Sequence, residues 1–247
     1  YVAWNWDMGG SNATNTNGNI QSTVRANPTY GQSIVSYTGS GTSGNTVGHG
    51  LSSAPNLVII KMRSGTDSWV VVTRGAGITD YTGRHLNLDY AFNDQAYNVS
   101  AMSSSTFTLG NDAQSNANNS TYVAYCFHDV TGYSKFSSYS GTGGTHTVTT
   151  GFSPAFIMIK QSSASGENWK MYDNTRYPNT AERTLDANTN GVEGGGSAIK
   201  INYLSTGFQV VGTNADINTN NATYFYMAFA DKREYAYWLD QSGNNND

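Results

Sequence analysis

Charge is scarce in this sequence. Asp, Glu, Lys and Arg make up 12% of its 247 residues, about half the usual ~25%. The net charge is −4 and no basic cluster occurs, which removes the electrostatic footprint used to hold nucleic acid or an anionic membrane surface. There is a single cysteine, Cys126, so no internal disulfide framework can exist, although low cysteine does not fix the compartment. No apolar run approaches the ~18 residues of a spanning helix, and no signal peptide is visible. Signals for helix starts and stops are almost absent.

Gly, Ser, Thr and Asn fill the space left by charge. Aromatics reach 13%, with 17 Tyr and 5 Trp, whereas disordered chains have few aromatics and high net charge. The profile is that of an all-β protein with many turns and an uncharged polar surface.

Internal self-similarity organises the chain. Ile34-Val35-Ser36-Tyr37-Thr38-Gly39 recurs as Phe136-Ser137-Ser138-Tyr139-Ser140-Gly141, the tyrosines 102 residues apart. The run Leu57-Val58-Ile59-Ile60-Lys61 recurs as Phe156-Ile157-Met158-Ile159-Lys160, Trp69 as Trp169, and Phe107-Thr108-Leu109-Gly110 as Phe208-Gln209-Val210-Val211-Gly212. Tyr122–Asp129 recurs as Tyr224–Asp231. The offsets drift by only a few residues, as loop insertions would make them. The pattern predicts two tandem homologous domains of β-sandwich or jelly-roll type, over 33–131 and 132–236. Tyr1–Asp7 resembles a third copy of the closing strand, so residues 1–32 are expected to be the end of a preceding repeat followed by a Gly/Asn/Thr-rich linker. Residues 237–247 are expected to be a polar linker, and the chain a fragment of a longer one.

The closing strand alternates with period two. Val123, Tyr125 and Phe127, and again Phe225, Met227 and Phe229, form a large apolar face that is expected to be core. Cys126 falls on the opposite face beside small residues and reads as a space-filler. The runs at 57–60 and 156–159 are continuous and apolar, as in strands buried on both faces. Ser64-Gly65-Thr66-Asp67, between the first run and Trp69-Val70-Val71-Val72, reads as the turn of a strand-turn-strand unit.

Chemistry-bearing constellations are sparse, and no enzymatic activity is expected. The Gly-rich stretches lack the Lys-Ser/Thr and following helix of a nucleotide loop. His49, His85, His128 and His146 show no metal-ligand spacing. The acidic residues form no evident hydrolase pair. Asp7, Asp129 and Asp231 follow each copy of the closing strand and read as strand-end caps. Asp186-Ala187-Asn188-Thr189-Asn190-Gly191 has the spacing of the first half of a calcium loop, with Asp186, Asn188 and Asn190 as oxygen ligands, but Ser197 stands where the bidentate Glu should be. Otherwise no cofactor is implied. Trp69, Trp169, Tyr81, Tyr90 and Tyr177 are the candidate ligand-contacting aromatics, since aromatic rings stack on the C–H faces of sugars. The bland reading is that the two Trp, kept in both copies, pack in the core.

Thr46-Val47-Gly48-His49-Gly50-Leu51, Ala54–Lys61, Thr121–Phe127, Tyr133-Ser134-Lys135-Phe136 and Phe225–Ala230, with the closing Trp238–Asp247, together resemble a repeated β-domain of large structural, tail-fibre-like proteins of marine tailed phages. The resemblance covers nearly the whole chain. It implies a virion-surface or extracellular segment of a tail fibre or similar appendage, homo-oligomeric (a trimer is one such form), among other virion proteins and in contact with host surface glycans. It carries no catalytic or binding residue with it. The alternatives are a capsid decoration protein, and a secreted carbohydrate-binding module or polysaccharide depolymerase.

Overall fold

In a computed structural model, residues 3–230 are described. The chain runs β1 (Ala13–Asn15), β2 (Ser22–Asn27), β3 (Gln32–Thr38), β4 (Thr46–Gly48), β5 (Leu57–Met62), β6 (Val70–Thr73), β7 (Thr82–His85), β8 (Asn93–Asp94), β9 (Val99–Met102), β10 (Thr106–Leu109), α1 (Ala113–Asn116) and β11 (Thr121–Phe127). It continues through β12 (Ser134–Ser140), β13 (His146–Thr149), β14 (Pro154–Gln161), β15 (Lys170–Asp173), β16 (Thr180–Ala181), β17 (Arg183–Asp186), β18 (Gly194–Gly195), β19 (Lys200–Leu204), β20 (Gly207–Val211), α2 (Ala215–Asn218) and β21 (Thr223–Ala230). The protein is all-β, built of antiparallel sheets.

Four sheets form. The N-terminal half contributes β1-β2-β3-β11-β5-β6-β7-β8 and β4-β10-β9; the C-terminal half contributes β12-β21-β14-β15-β17-β18 and β13-β20-β19-β16. The order β3-β11-β5-β6-β7-β8 therefore recurs as β12-β21-β14-β15-β17-β18. The expected strand-turn-strand unit is present, with β5 pairing β6 from Leu57↔Thr73 to Ile60↔Val70.

Three apolar layers lie between the four sheets, and strand alternation assigns residues to them. Val58, Ile60, Val70, Val72, Phe107, Leu109, Tyr122, Ala124 and Cys126 fill the space between the two N-terminal sheets. Ile157, Ile159, Tyr172, Ile201, Phe208, Val210, Tyr224, Tyr226 and Ala228 do the same in the C-terminal half. The intervening positions Leu57, Ile59, Val71, Phe127, Phe136, Phe156, Met158, Phe225, Met227 and Phe229 join the two halves in a third layer, the seam. Phe229 is its hub, its ring 5.5–5.8 Å from those of Trp6, Phe127, Tyr133 and Phe136. The runs at 57–60 and 156–159 are thus buried on both faces.

Of the large apolar face of the closing strand, Phe127, Phe225, Met227 and Phe229 are buried in the seam rather than inside a sandwich, Tyr125 packs on its margin, and Val123 is only half-buried. Cys126 lies on the interior face, fully buried, where burial pushes its thiol up to about 12; it fills space, as expected.

Residues 1–32 differ from expectation. β2 pairs with β3 over six residues, from Ser22↔Tyr37 to Asn27↔Gln32, so the expected linker is a sheet edge. Residues 3–8 carry no strand. Trp4 and Trp6 set their edges against Phe156 at 5.2 and 5.5 Å and belong to the seam of this chain. Asp129 caps as expected, its Oδ1 accepting the Phe136 amide at 2.8 Å while it pairs with Lys135. Asp7 accepts the Gly9 amide. Asp231, the end of the 132–236 segment and the 237–247 tail lie outside the described residues.

Candidate functional site

A common frame surrounds the short helix of each half. Tyr37 and Tyr122 stack at 5.2 Å, and Tyr139 and Tyr224 at 5.0 Å. Tyr37 Oη donates to the Ser115 carbonyl at 2.8 Å and Tyr139 Oη to that of Ile217 at 2.6 Å. Tyr122 Oη donates to Ala113 O and accepts from Ala117 N, as Tyr224 Oη does with Ala215 O and Thr219 N. The last helical residue of each, Asn116 and Asn218, is buried. Their Nδ2 groups donate to Gly110 O (2.8 Å) and Gly212 O (2.7 Å), and their Oδ1 atoms accept from Ser40 N and Thr142 N, both at 2.9 Å. Gly39 and Gly141 are needed here, because a Cβ at either would collide with the carbonyl of Ala117 or Thr219. The asparagines share the 102-residue offset of the tyrosines, a signal sufficient to find them.

The two halves place different chemistry on that frame. In the N-terminal half Gln114 Nε2 donates to Asp67 Oδ1 at 2.9 Å, and its Oε1 accepts from His85 Nε2 at 3.0 Å. In the C-terminal half Lys170 Nζ lies 2.9 Å from Asp186 Oδ1 and 3.2 Å from Asp216 Oδ2, and Asp216 Oδ1 accepts the Asn168 amide at 2.6 Å. Burial, then the neighbouring Asp216 charge, raises the Glu167 carboxyl above its ordinary range. Lys170, Asp186 and Asp216 line a cavity of about 260 Å³ with Thr184, Asn214 and the Gly194–Gly196 strip. Two carboxylates are spent there on one ammonium, which leaves neither positioned as a free base.

The residues with the calcium-loop spacing are engaged in other contacts. The Lys170 ammonium donates to Asp186 Oδ1 at 2.9 Å. Asn188 Oδ1 accepts the Trp169 amide at 3.0 Å and its Nδ2 donates to Asn168, a turn anchor matched by Asn87 Oδ1 and the Trp69 amide at 2.9 Å. Asn190 is exposed. Among the described residues no group of three or more His, Cys, Asp and Glu converges on a metal position.

The aromatic candidates do not form one site. Trp169 is 1% exposed and donates through Nε1 to the His85 carbonyl at 3.1 Å, so it has no face left for a ligand. Trp69 is half-buried against Tyr125. Tyr81 holds a φ of 59° at the turn into β7, and its backbone bonds Thr73 and Gln95. Tyr177 hydrogen-bonds Glu193, which also holds Arg176. Tyr90 is 44% exposed, with the Arg84 guanidinium 5.1 Å from its ring centre. Of the histidines, His49, His85 and His128 are buried and His146 half-buried. His49 is fully buried, receiving the Leu51 amide on Nδ1 and donating through Nε2 to Ser103 O, and burial lowers its pKa.

A second depression, of about 470 Å³, opens along the seam between Gly77, Ile78, Thr79, Thr82 and Phe92 of one half and Ser162, Ser163 and Thr223 of the other. Sequence reasoning missed it because its walls come from segments some 70–140 residues apart.

No curated protein and no solved structure matches the chain. Residues 1–233, both halves together, match a family described as a domain of unknown function, DUF7483, and the chain belongs to that family.

Proposed function

We propose that the chain is a non-enzymatic structural and adhesive segment of a phage virion appendage, a tail fibre or similar, at the virion surface. The observation that carries this reading is where the apolar residues go. Among the described residues only Tyr90 and Val192 are large, apolar and exposed, and the rest hold four sheets in one stack. Such a stack is stiff, because three interdigitated layers leave no hinge between halves. Its surface is polar and little charged, which suits a spacer that must not stick indiscriminately. The recurrence of the sheet order and of the Tyr/Asn frame supports descent from two tandem homologous β-sandwich domains. Self-association, as a trimer or otherwise, and contact with other virion proteins belong to the same reading.

A capsid decoration role calls for a broad apolar or Tyr-rich face against the shell, and the described surface offers no such patch. Immunogold microscopy of intact particles, with antibody raised against residues 33–236, tests the proposal. Gold on tail-associated fibres is the expected result. Gold spread over the capsid, or particles left unlabelled, would overturn it.

A further inference from the structure

We infer that the seam groove is a binding site for a neutral sugar unit of an oligosaccharide. Five hydroxyl-bearing residues (Thr79, Thr82, Ser162, Ser163 and Thr223) line it with Phe92 and Ile78, and no charged residue does. That lining offers no countercharge to a phosphate, a carboxylate or a cation. It offers what a pyranose needs: an apolar surface for one C–H face, and hydroxyls that both donate and accept. The groove's volume falls in the range of small-ligand pockets, ~300–1,000 Å³.

The polar groups are set in advance. Ser162 Oγ donates to the Thr223 carbonyl at 3.0 Å, which leaves its lone pairs as acceptors. Ser163 Oγ accepts the Thr223 amide at 3.0 Å, which leaves its proton to donate. Thr82 Oγ1 donates to Thr79 O at 2.6 Å and so also faces a ligand as an acceptor. Phe92 is held by its tilted contacts with Trp169 and Phe225, both at 5.8 Å, and by its amide on Ser162 O at 2.9 Å. The Ala91 amide on Ser165 Oγ, at 2.9 Å, fastens the same loop across the seam. Fixed hydroxyls and a fixed ring lose little freedom on binding. Tyr90, two residues before Phe92, supplies an exposed ring on the same loop.

The site deepens the adhesive part of the functional reading and rests on it, but its test needs no particle. Purified wild-type chain, Thr79→Arg and Thr79→Ser are titrated with neutral hexose oligosaccharides built of glucose, mannose or galactose. Saturation-transfer NMR and calorimetry follow binding. Thr79 is exposed and its side chain makes no hydrogen bond among the described residues, so both variants keep the wild-type melting temperature. At least one oligosaccharide is expected to bind at millimolar affinity or better, with shifts at Phe92 and Ser162. Thr79→Arg should weaken it about tenfold or more by filling the groove, and Thr79→Ser should preserve it. No binding by any member, or equal binding by Thr79→Arg, would overturn the inference and leave the immunogold result to decide the appendage reading separately.

Discussion

The two halves of this molecule hold the same frame around different chemistry. Stacked tyrosines, a buried asparagine at the end of a four-residue helix and a glycine under a carbonyl recur in both, with matching hydrogen bonds. Val70 and His85 are cross-strand partners in one half, Lys170 and Asp186 in the other. Gln114 follows the helix-capping Asp112 as Asp216 follows Asn214. The frame depends on groups that must satisfy backbone donors and acceptors away from water, which tolerate little change. The polar cluster beside it has only to satisfy itself, by a relay of imidazole, amide and carboxylate or by an ammonium between carboxylates.

The largest expected contrast is between the two tryptophans. Trp169→Ala should cost about 3–5 kcal/mol, because it opens a void in the seam and removes one of the two donors, Trp169 Nε1 and the Leu88 amide, on the His85 carbonyl. Trp69→Ala, at a half-buried position, should cost about 1–2 kcal/mol. Urea denaturation of both variants measures the difference, and equal losses would break the claim that the C-terminal tryptophan is the more deeply seated of the two in the seam. Next comes Lys170→Met, which leaves Asp186 and Asp216 facing each other without their cation. A loss of about 3 kcal/mol is expected in urea denaturation. Asn116→Ala and Asn218→Ala should each cost about 2 kcal/mol, nearly equally, if the frames are equivalent.

The smallest effect concerns Lys160, fully buried at the seam with Nζ on the carbonyls of Gln161 (2.7 Å) and Asp89 (3.2 Å). Burial lowers its pKa from 10.5 to about 8. Above that value the folded chain releases a proton that the unfolded chain keeps, so stability should rise with pH. From pH 9 upward the buried Cys126 thiol opposes the gain, since its pKa is raised from 9.0 to about 12. The urea midpoint of the wild type should therefore rise between pH 8 and pH 9, and that of Lys160→Met should not.

Much of this was legible in the sequence. Period-two alternation and recurring blocks located the central strands and the equivalence of the halves, because Leu57–Ile60, Phe156–Ile159 and the closing strands carry strong apolar signals. Alternation says that a face is buried, not against what, so the seam around Phe127 and Phe229 could not be read from it. β2 was missed because Val24 is its one large apolar residue, and α1 and α2 because four residues are too few to show a helical period. Asn188 fitted a calcium spacing, yet its counterpart Asn87, which anchors the other tryptophan's turn, already pointed to a structural role. The groove, assembled from distant segments, had no local signature at all.

That the two halves share a single core through the seam is tested most directly by scanning calorimetry of the chain. The account predicts one transition whose calorimetric and van't Hoff enthalpies agree, lost together in both halves when Phe229 is replaced by alanine. Two separable transitions, with Phe229→Ala lowering only the one that belongs to the C-terminal half, would contradict it.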